Sequence, residues 1–215
     1  MKRRFTRFIA AALLVTSFAV ARADGPTLTD DGLEPLKLKN IDKAYRRPDA
    51  KLGSYDKIIL KPIDVSFSKG WNPLDYGDKG LRAKDVEKLR GDLAKLAEQT
   101  FAKVLNEGGY ATAPASDTGV LEVEVRIVDL FLNAPDVDHT ANVKVYALSA
   151  GEMELVVTLR DSVSGTTLFR SIDHKRDPDA VRLEWANRVW NHVQLRHMLE
   201  GWAEQLKNAL NSARG

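Results

Sequence analysis

Residues 159 to 171, "LRDSVSGTTLFRS", gather Ser162, Ser164, Thr166 and Thr167 beside Asp161 and Gly165. Those types suit a hydroxyl nucleophile, which needs a base within hydrogen-bond reach. No Gly-x-Ser-x-Gly elbow accompanies them. Aspartate starts turns by bonding the backbone two residues on, and glycine supplies positive φ. Alternating apolar runs flank the stretch on both sides. The pattern therefore predicts a β-hairpin, with Asp161 and Gly165 as its structural turn and the hydroxyls as turn and strand residues.

The histidines give little more. His192 and His197 stand about 140° apart around a helix, so they do not form a metal pair. Asp136, Asp138 and His139 share a loop, but the EF-hand glycine and further acidic positions are missing. His174 sits between Asp173 and Asp177 at a strand end, where a carboxylate would orient an imidazole for acid–base work or simply mark a charged strand exit. "GWNPLDYGDKG" fails the phosphate loop in glycine spacing and lacks a hydroxyl after Lys79. Its aromatics fit surface contact better. Trp71, Asn72, Pro73 and Tyr76 form the candidate partner surface, with Trp71 folded over the core edge as the alternative. No catalytic residue, cofactor or metal site is expected.

The elements that would hold these residues follow from periodicity. In 55–67, Ile63, Val65 and Phe67 alternate with polar neighbours, and Pro62 predicts a bulge or a local edge. Val86, Leu89, Leu93, Leu96, Thr100 and Val104 mark one face of a helix over 81–107, stopped by Gly108-Gly109. Leu121, Val123, Val125 and Ile127 point one way, and the phase breaks at Asp129, which predicts a bulge. Residues 142–148 suit a short strand, and Met153 to Leu159 alternate again. Asp177 and Pro178 open a helix over 178–212, with a kink or break expected near Gln194. The expectation is a single α+β domain: a largely antiparallel sheet of four or five strands carrying two main helices.

Composition bounds the rest. The chain has 215 residues, 44% hydrophobic and 29% charged, enough for one domain with a real core. It begins with Lys2, Arg3, Arg4 and Arg7, followed by an apolar run from Phe8 to Ala21 and then Ala21-Arg22-Ala23. A spanning helix needs roughly 20 apolar residues, so the shorter run predicts a secretory signal cleaved after Ala23. The alternative is an inner-membrane anchor through an uncleaved N-terminal segment. Removing 23 residues leaves 192 and takes away five positive charges, turning +2 into −3. That balance gives no case for nucleic acid. Without cysteine, disulfides, zinc–thiolate sites and a lipid anchor are excluded. Residues 24–54, with scattered Gly and Pro, are expected as an extended lead-in before a domain over 55–215.

"YRRPDAKLGSYDKIILKPIDVSF", "SAGEMELVVTLRDSVSGTTLFRSID" and the tryptophan-containing C-terminal helix resemble bacterial envelope proteins of the "domain of unknown function 3313" family. The likeness covers most of residues 30 to 210. Its most specific piece is Gly151-Glu152-Met153 followed by Leu159-Arg160-Asp161-Ser162 and Gly165. The resemblance implies an envelope location and no assigned activity, so no catalytic residue carries over. Many members look like lipoproteins, and the missing cysteine sets this chain apart.

The expected function is that of an exported, non-enzymatic periplasmic protein binding an unidentified envelope protein in assembly or maintenance. Its surfaces would be the aromatic loop and the strand edge around Thr167 to Ile172. The alternatives are a binder of a small or lipidic ligand between sheet and helix, and a hydrolase or metal enzyme.

Overall fold

Alternation builds the sheet. In the computed structural model, which describes residues 29–71, 83–137, 146–176 and 188–214, β6 is Val120–Val137. It buries Leu121, Val123, Val125 and Ile127, while Glu122, Glu124 and Arg126 stand on the other face. β7 (Tyr146–Asp161) runs antiparallel to β6, and β8 (Thr167–Arg176) antiparallel to β7. β3 (Lys57–Leu60) and β4 (Asp64–Phe67) lie parallel to β6 on its other side. Pro62 falls in the gap between them, where it takes no part in the ladder.

Three short strands complete the sheet. β1 (Glu34–Leu36) and β2 (Lys43–Arg46) form a hairpin that adds to β8, and β5 (Ala111–Thr112) adds to β3. The order is β1-β2-β8-β7-β6-β3-β5, with β4 also on β6: among the described residues, eight strands, mixed, in one α+β domain. The count exceeds the four or five expected because strands of two to four residues are too short to show a period. For the same reason the extended lead-in turns out to be part of the sheet. Arg47 donates to the Thr167 carbonyl at 2.7 Å and the Asp31 carbonyl at 2.6 Å, and Leu33 is fully buried. Asp31 also pairs with Arg170 at 2.6 Å. The Thr29 hydroxyl, first, and Arg170 hold the Asp31 carboxyl below its ordinary range.

Helix α1 (Ala83–Glu107) buries Leu89, Leu93, Ala97, Thr100, Phe101, Val104 and Leu105, a face wider than the stripe read from the sequence. It ends at Gly109, whose φ is 85°. There the Gly108 amide bonds to Val104 and the Tyr110 amide to Leu105. Helix α2 (Arg188–Arg214) runs unbroken through Gln194, where a kink or break was expected. Its buried stripe is Leu195, Leu199, Trp202, Leu206 and Leu210. The expected cap at Asp177 and Pro178 lies outside the described residues. Both helices pack on the face carrying Val123, Val125, Leu155 and Val157, in one continuous core.

The end of α2 is clamped. A Cβ on Gly53 would stand 2.2 Å from the Ala213 carbonyl oxygen, so the Leu52–Ser54 turn approaches the helix backbone directly. The Arg214 guanidinium lies 3.7 Å from the Tyr110 ring centroid and donates to the Tyr55 carbonyl at 2.9 Å. The Tyr55 hydroxyl in turn donates to Asp161 at 2.9 Å.

That contact reaches the β7–β8 turn. Asp161 Oδ1 accepts from the Val163 and Ser164 amides, and Gly165 has a φ of 68°. The Ser164 amide, then the Tyr55 hydroxyl, hold the Asp161 carboxyl low against the opposing effect of burial. Burial, first, and Asp161 push Tyr55 up to about 12. Ser162 bonds to the Asp117 carbonyl and Ser164 to the Thr166 hydroxyl, so these hydroxyls knit a turn. Gly165→Val, forced into the left-handed region, is expected to cost roughly 1–3 kcal/mol in chemical denaturation. Ser164→Ala should cost less than about 1 kcal/mol in the same experiment.

Candidate functional site

Of the candidate surface read from the sequence, Trp71 alone lies among the described residues, and it takes the alternative position, folded onto the core. Trp71 is 7% exposed and stacks on Phe67, with ring centroids 4.4 Å apart. It is a core residue, because the return from β4 folds the indole back onto the strand's own aromatic. Asn72, Pro73 and Tyr76 lie outside the described residues. The strand edge at Thr167 to Ile172 is also not free: β2 pairs along one side of β8 and β7 along the other.

The histidines separate in the same way. Neighbouring strand residues point to opposite faces. Asp173 therefore turns toward α2, where its Oδ2 accepts from Trp202 Nε1 at 2.7 Å and pairs with Lys175 at 2.9 Å. His174 turns to the outer face and meets Glu152 at 3.0 Å. Asp173 and His174 therefore lie on opposite faces, and Asp177 lies outside the described residues. His197 is exposed, 3.5 Å from Glu200 on its own helix. His139 and the His192 side chain lie outside the described residues. Among the described residues there is no group of three or more side chains placed to share a metal ion.

Open depressions are found among the described residues. One, about 450 Å³, lies between α1 and α2 over Leu96, Thr100 and Val104, with Lys103, Arg196 and Glu200 at its sides. Another, about 460 Å³, lies at the end of β8 by Asp42, Lys175 and Gln205. Both are open; the first lies between the two helices, and the second at the margin where Asp173 and Lys175 of β8 meet Gln205 of α2. The charged groups of the second are already engaged. Lys175 holds Asp173, and Asp42 accepts from the His174 amide at 2.9 Å.

The outer face of the sheet is different. Here Lys61, Glu122, Arg160 and Glu124 form a connected charge lattice, with Lys61 at 3.7 Å and Arg160 at 3.6 Å from Glu122. Beside it runs an apolar strip. Register places Val156 next to Ile172 on β8, and Val128 next to Glu154 one row along β6. Phe131 follows, opposite Glu152 and 37% exposed.

A bulge causes that exposure. Asp129 has a φ of 51°, and the register shifts between Val128 and Phe131. Unbroken alternation from Leu121 would have sent Phe131 inward. The bulge sends Leu130 into the core instead and turns Phe131 out. Sequence reading located the phase break and missed its consequence. The signal was an aromatic left on the polar parity.

Fold and surface together define a two-layer α+β domain, with both helices on one face of a mixed sheet and the other face carrying charge and a bulge-displayed phenylalanine. The chain belongs to the DUF3313 family, described as "protein of unknown function", whose pattern matches residues 24–206. It is similar to PelC of Paraburkholderia phytofirmans, solved as a dodecamer: 14% identity, TM-score 0.42, covering 78% of this chain and 95% of that one. It is similar to a minor lipoprotein of Acinetobacter baumannii, at 13% identity and TM-score 0.32 over 74% and 95%. A DUF4136 family protein of Bacteroides thetaiotaomicron is similar at 10% identity and TM-score 0.33, over 81% and 98%. No curated protein matches the chain. No described helix is long and apolar enough to cross a membrane.

Proposed function

We propose that this is an exported, non-enzymatic periplasmic protein that binds a protein partner in envelope assembly or maintenance. The observation that supports partner binding is Phe131, turned out on the face opposite α1 and α2 by the bulge at Asp129. Aromatics of this kind dominate interface energies, and a bulge is a usual device for re-aiming a side chain. Export rests on the basic, apolar and small-residue order of residues 2 to 23.

Two measurements test the reading. The intact mass of protein from a periplasmic extract should correspond to a chain beginning at Asp24. Recovery only in membranes with the first residues still present would refute export. Phe131→Ala should weaken capture of the partner roughly 30-fold, the factor for about 2 kcal/mol. It should change folding stability by less than about 1 kcal/mol. Undiminished capture by the stable variant would remove Phe131 from the interface.

A further inference from the structure

The outer face sets three residues side by side. Phe131 of β6 lies opposite Glu152 of β7, and Glu152 Oε1 is 3.0 Å from Nε2 of His174 on β8. One row along, Val128 lies opposite Glu154, and Glu154 lies opposite His174. The displayed aromatic is thus one strand away from a carboxylate and two strands away from the imidazole that meets it. Both members of that pair are partly open to solvent, so protons reach them. A partner seated on Phe131 also covers Glu152, because side chains opposite each other on one face of a sheet are neighbours.

Histidine is the side chain whose charge ordinarily changes between about pH 5 and 8. The groups that face His174 are mostly acidic. β7 supplies Glu152 and Glu154, and the turn before β2 supplies Asp42, whose Oδ2 accepts from the His174 amide at 2.9 Å. The basic residues placed there by register are Lys43 of β2, opposite Ile172, and Arg176 of β8, opposite Glu152. The carboxylates outnumber these basic residues, so a neutral imidazole leaves the patch with a net negative charge. Protonation cancels that charge. It also makes the His174–Glu152 contact charge-assisted, roughly twice as strong as a neutral hydrogen bond.

We infer that His174 makes the outer face pH-sensitive: its protonation favours a protein partner seated on Phe131, and its deprotonation disfavours one. The inference rests on the proposed partner surface and adds its regulation. Covering a patch that keeps a net charge costs more than covering a balanced one. By linkage, a seated partner also draws the proton onto His174.

Two measurements on the full chain separate the parts. A 4-fluorophenylalanine at position 131 senses the charge beside the ring with no partner present. Its fluorine resonance is expected to move between about pH 5 and 8, and to stay nearly still in His174→Gln, which keeps every other histidine. A resonance that is still in the native chain, or that moves as far in His174→Gln, overturns the inference. The second measurement places a photo-reactive phenylalanine analogue at position 131 and irradiates a periplasmic extract at about pH 5.5 and about pH 8. The yield of a discrete adduct should be roughly threefold or more higher at the lower pH. It should be low at both in His174→Gln and high at both in His174→Lys, which fixes the positive charge. A native yield that does not change with pH overturns the regulation and leaves the partner surface standing. No adduct at either pH overturns the partner surface, and the regulation with it.

Discussion

Trp202→Ala is expected to remove about 3–5 kcal/mol of folding stability, and Trp202→Phe about 1–3 kcal/mol. The indole is 3% exposed and sits in the middle of the α2 stripe, so its truncation opens a cavity between helix and sheet. The second effect is polar. Trp202 Nε1 donates to Asp173, a carboxylate 4% exposed on the core side of β8. Alanine and phenylalanine both delete that donor and leave the carboxylate with Lys175. Domains are stable by only about 5–15 kcal/mol, so the alanine variant should lose a large share of the total. Urea unfolding of the three proteins measures both parts. A neutral Trp202→Phe would show that the N–H bond contributes nothing net. A Trp202→Ala change under about 1 kcal/mol would take the residue out of the core.

Trp71→Ala is expected to cost about 3–5 kcal/mol as well, which for a domain of this size lowers the melting temperature by roughly ten degrees. The ring is stacked on Phe67 and belongs to the same core as α1. Trp71→Phe should recover much of the loss, since it keeps an aromatic against Phe67. An unchanged melting temperature in Trp71→Ala would return the residue to the surface and restore the loop from Gly70 as a contact region.

These two tryptophans show what the sequence can and cannot carry. Trp202 lay on a stripe with Leu199 and Leu206, so its burial was legible from period alone. Trp71 lay in a loop composition with no period, and its place depends on a fold-back that only tertiary packing decides. The same division runs through the sheet. Long strands with strict alternation, the hairpin at Asp161 and Gly165, the break at Pro62 and the bulge at Asp129 each have a local cause. β1, β2 and β5 do not, because strands this short are fixed by their neighbours. The candidate surface was missed for a related reason, although Phe131 stood on the polar parity. Phe131 becomes outward only when the bulge is combined with knowledge of which face the helices cover.

Partner binding through that face is tested most directly by a photo-reactive phenylalanine analogue at position 131 of the full chain, irradiated in cells. A control carries the analogue at position 88, where Lys88 is exposed on α1 across the sheet, its side chain 68% accessible. The expected result is a discrete adduct with a different protein from position 131 and none from position 88. Equal labelling from both positions, or no adduct from position 131, would contradict a partner surface on the outer face.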